Sequence, residues 1–463
     1  MLKVIIPIIV LLCILLIKKI PYIGGNLSIA LIIAGILALI MGGIYNPLTW
    51  LMAWIDGVDR LMWVILLGAC GCIYADMQGE LGAMETIVNS LRAKFGHSPK
   101  GLVITVFMAL MIAGSLLGDS MAASTVVGLL TVGALAELGL PGERVAAVLI
   151  IGASLGSPMP PIAQSLFLSA ALLGLETPDP VTAISYFTIG ITAIIALLVM
   201  LKMFIKKDMT MNEDLIPKEK ASQILKARWY TLIPLTILAI VVFARSLPAP
   251  YKIDIIPLIL NKITVGGQGF LQWLGTIKIL KGFSNVIVLA MITCIIISTI
   301  FFKEVRNNLP KIFKGGLKKV RPNAQVQFSA GLFLGGFYAA GQIEAIKAFV
   351  QGLNTNLLKF GGAGAITLIG MVTGSQSTAQ NVIVSFWGPA LVETGLTPVN
   401  AAMAASHFAI AGQALPPVDL MALAVCGIVG GMLGVKIDPI KTMMYSIPFC
   451  IVLMVIGTIF MYI

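Results

Sequence analysis

Adding 256 to a residue number in the first half of this sequence repeatedly lands on the same residue type in the second half. Gly114, Gly118, Ala123, Val126, Ala134, Leu135, Glu137, Gly139, Leu140, Ala146, Gly156, Pro160 and Pro161 meet Gly370, Gly374, Ala379, Val382, Ala390, Leu391, Glu393, Gly395, Leu396, Ala402, Gly412, Pro416 and Pro417. No gap is needed across that stretch. Upstream the offset becomes 264, where Gly71, Tyr74, Ala75, Gln78 and Glu80 meet Gly335, Tyr338, Ala339, Gln342 and Glu344. A duplication of this kind constrains the fold more than any single motif, because one order of elements must serve both halves.

Those halves are built for lipid. Of the 463 residues, 58% are hydrophobic and 11% charged, and the mean hydropathy is +1.00. Such usage excludes an ordinary soluble domain and matches a chain that crosses a membrane many times. A hydrocarbon core about 30 Å thick needs roughly 20 apolar residues per helix, and residues 184–201 and 284–302 approach that length. Residues 2–17 are apolar too. Lys18 and Lys19 follow them with no small-residue cleavage pattern, so they read as a first span rather than a secretory signal. The net charge of +11 resides in loops beside spans, where it orients the chain, and does not imply nucleic acid. The six cysteines, Cys13, Cys70, Cys72, Cys294, Cys426 and Cys450, lie in apolar segments and behave as small hydrophobes, implying neither disulfide nor zinc.

Positive charge then gives each half a direction, since Lys and Arg crowd short cytoplasmic loops. Lys202, Lys206, Lys207, Lys218 and Lys220 form one cluster; Lys303, Arg306, Lys311, Lys314, Lys318, Lys319 and Arg321 form another, with two spans between them. Working outward, both termini lie outside, residues 61–76 run inward to Arg92, Lys94 and Lys100, and their counterpart 328–345 runs outward. The repeats are therefore inverted. This bookkeeping holds only if residues 101–138 and 364–394 are re-entrant hairpins that enter and leave on one side. Each is followed by a helix broken at mid-membrane by proline, within 143–175 and 398–435, because proline withdraws a backbone donor and clashes with the preceding turn. Amphipathic residues 83–94 and 346–359 read as arm helices parallel to the surface. The expected fold is an all-α polytopic membrane protein of two inverted repeats, 1–207 and 229–463, joined by a cytoplasmic linker at 208–228. It holds about ten transmembrane crossings, two re-entrant helical hairpins and two discontinuous helices.

Inverted repeats with broken helices are how secondary transporters place a substrate site at mid-membrane, with helix ends and bare carbonyls as ligands. Two clusters of this type are expected to face each other. One joins Gly118, Asp119, Ser120, Ser124 and Thr125 to Gly156, Ser157 and Pro158. The other joins Gly374, Ser375, Gln376, Ser377, Thr378 and Asn381 to Gly412, Gln413 and Ala414. Asp119 stands out, since a carboxylate at membrane depth is costly and is kept for ions, protons or a partner, although it can also cap the helix that follows. Glu137 and Glu393 read as interfacial anchors, Asp419 as a cap, and His407 as hydrogen-bonded packing or a proton relay. The Lys or Arg nearest the breaks is Arg144. An anion would therefore rely on dipoles, hydroxyls and co-bound cations, with sodium as coupling ion and neither another metal nor an organic cofactor.

The run from Ala113 to Thr125, Ala-Gly-Ser-Leu-Leu-Gly-Asp-Ser-Met-Ala-Ala-Ser-Thr, resembles the large membrane subunit of tripartite ATP-independent periplasmic (TRAP) transporters, as do the following Leu-Gly-Leu-Pro-Gly-Glu143 and the break at Pro160-Pro161. In the second half, Thr373-Gly374, Gly388-Pro389-Ala-Leu, Gly395-Leu-Thr-Pro398 and Leu415-Pro-Pro417 are similar to the same family. The resemblance covers nearly the whole chain. It implies sodium-driven symport of a small organic anion such as a C4-dicarboxylate, by an elevator motion in a bacterial inner membrane. It also implies a small four-helix membrane subunit and an extracytoplasmic solute-binding protein as partners. Carried onto this sequence, it places substrate contacts at Ser120, Ser124, Thr125, Ser157, Ser377, Thr378 and Asn381. Sodium would be held at Gly118 to Ser120 and Gly374 to Ser377, with Gly156 to Pro158 and Gly412 to Ala414. Two features depart from the family: Asp119 stands where Ser-Gly type residues are common, and Ser375 to Asn381 is more polar than usual.

Other classes fit less well. Gly118-Asp119 is part of an intramembrane aspartyl protease signature, but position 116 is Leu and no second mid-membrane aspartate is evident, so no enzyme is expected. A channel would use a symmetric ring of subunits rather than hairpins duplicated and inverted within one chain. No phosphate-binding Gly-Lys-Ser/Thr loop points to an ATP-driven pump. The remaining alternative is a stand-alone sodium- or proton-coupled anion symporter.

Overall fold

In the computed structural model, residues 2–17, 19–206, 209, 217–247, 251–350, 352 and 354–463 are described. Lys18 and Lys207 lie outside them, as does much of the linker 208–228. Among the described residues the fold is all-α apart from one two-residue antiparallel pair, Thr264–Val265 with Gln268–Gly269, reversed at Gly266 and Gly267.

Helix starts are written locally. Asn46, Ser98, Thr397 and Asp438 each cap a helix through a side-chain oxygen and are each followed by proline, whose missing N–H is an orphan there anyway. The elements then succeed one another in the same order in both halves. Leu2–Leu16, Leu27–Met41 and Pro47–Leu81 lead to an arm, Ala83–Phe95, then to the paired helices Pro99–Leu117 and Ser120–Glu137, the broken pair Gly142–Gly156 and Gln164–Leu172, and Asp179–Phe204. The second half runs Ile233–Ser246, Val286–Phe301, Leu309–Ala339, arm Gln342–Val350, Thr355–Thr373 with the return 376–393, Pro398–Ala414 with Leu420–Leu433, and Ile447–Phe460.

Several boundaries differ from the expected ones. The inward span expected at 61–76 is part of a 35-residue helix, Pro47–Leu81, and the span expected at 328–345 is the end of Leu309–Ala339. Much of the basic cluster after Phe302 is thus helical, not loop. It pairs with acids at the far end of the other long helix, Lys319 with Asp76 and Lys311 with Glu80. The second arm ends by Val350, not 359, because Asn354 starts a new helix by accepting from Asn356 N and Leu357 N. Among the described residues, six helices are long and apolar enough to cross a membrane, three of them hairpin arms. Length therefore does not separate an arm from a crossing.

The two long helices run antiparallel, since Gly57 meets Gly331 at one end and Asp76 meets Lys319 at the other. Their backbones touch. A Cβ on Gly335 would lie 1.9 Å from the Ala53 carbonyl oxygen, and one on Gly57 would lie 1.8 Å from that of Gly331. Gly335→Leu is therefore expected to lower stability by roughly 3 kcal/mol or more, read as a lower melting temperature in detergent, while Gly361→Leu, with open space around it, leaves it unchanged. Leu27–Met41 and Val286–Phe301 flank the long pair. Against this group pack the hairpins and broken helices, with each broken helix's first half against the other's second half: Gly142–Gly156 on Leu420–Leu433, and Pro398–Ala414 on Gln164–Leu172.

Candidate functional site

Each hairpin turns on one glycine. Gly118 (φ 66°) and Gly374 (φ 64°) end their incoming helices in the left-handed conformation that only glycine adopts cheaply. The next residue is extended and caps the returning helix. Asp119 Oδ1 accepts from Ala122 N at 2.8 Å, and Ser375 Oγ accepts from Thr378 N at 3.3 Å. Cap and ligand roles are compatible, because capping occupies only one carboxylate oxygen of Asp119.

Behind the tips, the incoming arm of each hairpin presses on its broken helix with no side chain between them. A Cβ on Gly156 would stand 2.6 Å from Leu110 O, and its counterpart on Gly412 would stand 2.5 Å from Thr367 O. The breaks span 157–163 and 415–419, each with a cis Pro-Pro bond, at Pro160-Pro161 and Pro416-Pro417. Tip and break are then tied by hydrogen bonds. Ile162 N donates to Ser115 O at 3.0 Å, Leu420 N to Gly374 O at 3.4 Å, and Gln376 N to Gln413 Oε1 at 3.0 Å.

Both tips open onto one cavity of about 440 Å³. Gly118, Asp119, Ser120 and Met121 line it from the first hairpin, Gly374 to Thr378 and Gln380 from the second, and Gln413, Leu420 and Met421 from the second broken helix. Gln164, Ser165 and Leu168 come from the first broken helix, and Val64, Pro322, Asn323, Val326 and Gln327 from the two long helices. Among the described residues, Asp119 is the one charged side chain in the lining, and no group of three or more His, Cys, Asp or Glu is placed to hold a metal ion.

Of the expected site residues, the cavity gathers Gly118, Asp119, Ser120, Gly374, Ser375, Gln376, Ser377, Thr378 and Gln413. The others are not in its lining. Ser124 and Thr125 both donate to Met121 O, at 3.0 and 2.8 Å, as hydroxyls in apolar helices commonly do. Asn381 Nδ2 donates to Ser377 O at 2.9 Å, inside a π-helical turn at Gln380–Val384. Ser157 and Pro158 lie in the first break, and Gly156, Gly412 and Ala414 in the last turns of the helices that lead into the breaks; none is in the lining. Asp419 is buried and caps Leu420–Leu433 through Met421 N at 2.9 Å. Buried His407 meets Met403 O through Nδ1 at 2.7 Å and lies against Phe460. Gln164, Ser165, Gln380, Asn323 and Gln327 were not expected from the sequence. Asn323 and Gln327 had a signal, being amides four residues apart beside Pro322, where the basic part of Leu309–Ala339 gives way to its apolar end.

A second cavity, of about 540 Å³, lies between the start of Pro47–Leu81, residues 174–176 and the loop at 275–285. Its lysines are already paired, Lys278 with Asp56 at 2.5 Å and Lys281 with Asp59 at 2.8 Å. No hairpin tip reaches it.

Paired glycine-turned hairpins and proline-broken helices around one mid-chain cavity define an all-α polytopic membrane protein of the secondary transporter class. The chain belongs to the TRAP transporter family: residues 9–463 match the tripartite ATP-independent periplasmic transporter, DctM component, which is the large membrane subunit. The fold is also similar to the crystal structure of the YdaH transporter of Alcanivorax borkumensis, at 14% identity and a TM-score of 0.51, covering 86% of this chain and 84% of that one. No curated protein is a significant match.

Proposed function

We propose that this large subunit imports a small carboxylate by sodium symport, with an elevator motion of the hairpins and broken helices against the long-helix scaffold. The observation that carries the reading is the convergence of both hairpin tips on one cavity. Two tips that stop at one shared cavity behave as re-entrant elements, and each supplies a helix end. Inverted repeats at 1–207 and 229–463 accord with the repeated element order and the antiparallel long helices. Sodium suits a lining without Lys or Arg, because a cation held by carbonyls beside Asp119, Ser375 and Ser377 would offset a carboxylate next to it. Gln164, Asn323 and Gln327 face one another across the two groups near Gly68, where a Cβ would come within 3.0 Å of Gln164 Nε2. That is where sliding would release the substrate. The family works in general with a small membrane subunit and a solute-binding protein, and we assign this chain such partners in a bacterial inner membrane.

The test is accumulation of labelled four-carbon carboxylates in proteoliposomes. An inward sodium gradient is expected to drive uptake, which vanishes when potassium replaces sodium outside. Uptake that ignores sodium and follows a pH gradient would overturn sodium coupling and point instead to His407.

A further inference from the structure

Basic residues that the fold leaves without acids gather beside an apolar cleft. Lys311 and Lys319 of the long helix Leu309–Ala339 pair with Glu80 and Asp76, but Lys314, Lys318 and Arg321 have no acidic partner among the described residues. Spacings of four and three put these three on one exposed helix face, which exposed Gln325 continues one turn further on. Phe313 and Leu317, 39% and 52% exposed, stand next to them, a combination that suits the surface of a membrane better than water. Gln325 in turn lines a cleft of about 810 Å³ between residues 322–329 and the start of Leu27–Met41, with Ile29, Ile32, Val326 and Phe328 among its apolar residues. Pro322 and Val326 line both this cleft and the 440 Å³ cavity, so a single turn of helix separates the two.

We propose that an anionic phospholipid of the cytoplasmic leaflet occupies this cleft, with its phosphate on Lys318 and Arg321 and an acyl chain along Ile29, Ile32, Val326 and Phe328. Phe328 lies about 10 Å along the helix from Arg321, so headgroup and chain fall in the order that a leaflet requires. Basic residues beside a span can orient it without binding anything, but these share a face with an apolar slot that continues into the membrane. A neighbouring membrane protein fits less well, because its own inner loops would bring Lys and Arg to the same level. Inorganic phosphate lacks the chains that the cleft accommodates. The lipid backs the wall that Pro322 and Val326 present to the cavity. None of this depends on the transported substrate or on the coupling ion.

Binding is read by native mass spectrometry of the delipidated full chain with palmitoyl-oleoyl phosphatidylglycerol or phosphatidylcholine, beside the melting temperature in each. Phosphatidylglycerol is expected to bind on the order of 30-fold more tightly, roughly fivefold for each of two basic side chains, and to raise the melting temperature. Lys318→Gln with Arg321→Gln is expected to bring it down to the level of phosphatidylcholine. Lys303→Gln with Arg306→Gln, which removes equal charge from the same basic run, leaves the preference intact. Ile32→Trp fills the cleft from a side chain 38% exposed and is expected to weaken both lipids alike. Such a split between headgroup and chain would not come from a general loss of structure. Equal binding of the two lipids, no binding of either, or displacement by inorganic phosphate overturns the assignment. So does a preference that survives Lys318→Gln with Arg321→Gln, an equal loss in both charge variants, or binding that Ile32→Trp leaves untouched.

Discussion

Gly156→Val and Gly412→Val are each expected to reduce sodium-driven uptake to the level of empty liposomes, whereas Gly133→Val leaves it intact. Both target residues sit where a hairpin arm meets its broken helix backbone to backbone, and a Cβ would stand 2.6 Å from Leu110 O or 2.5 Å from Thr367 O. Neither neighbour is a side-chain tip that can swing away. The hairpin must therefore move, which displaces its tip from the cavity, and overpacking of this kind costs about 1–3 kcal/mol before any loss of function is counted. Gly133 has open space around it and controls for helix propensity. Uptake per mole of protein with a size-exclusion profile checks the result. Normal transport by either variant would mean that the arms do not hold the tips in place.

Substitution of Asp119 separates its two roles. Asp119→Asn keeps a side-chain oxygen for Ala122 N, so the cap and the melting temperature are retained. It removes the one charge in the cavity lining, and the sodium concentration for half-maximal uptake is expected to rise by on the order of tenfold or more, the size of one lost charge contact. Asp119→Ala loses both roles, and its uptake is expected to fall to background with a stability loss of about 1 kcal/mol. If Asp119→Asn transports with unchanged sodium dependence, the carboxylate serves as a cap alone.

Much of the site is legible in the amino-acid sequence because the repeat marks it twice. Gly118 and Gly374 stand 256 residues apart and turn the two hairpins alike, and the breaks at Pro160-Pro161 and Pro416-Pro417 share the same offset. Such residues are visible because their roles are local: a left-handed turn demands glycine, and a helix stops at proline. Asp119 is legible for the same reason, as a residue that can cap the returning helix, and Ser375 proves to take the matching place in the second hairpin. The family too is readable from short runs around these points, and residues 9–463 match it.

The far wall of the cavity is not readable in this way. Gln164, Gln327 and Gln380 lie on three different elements, and their separations in sequence say nothing of their distance in space. Ser124, Thr125 and Asn381 look equally suited to a substrate by residue type, yet each turns its hydrogens back to its own helix. Boundaries beyond the polar punctuation are also hidden. The basic run after Phe302 reads as a loop by charge but is largely helical, because Asp76 and Glu80 on the antiparallel neighbour accept two of its lysines. By itself, then, the sequence determined membrane residence, the duplicated order of elements, the two turns and the two breaks, all of which depend on residues near one another in the chain. Only tertiary structure decided which polar groups share the cavity, since contacts between distant segments are set by packing rather than by spacing.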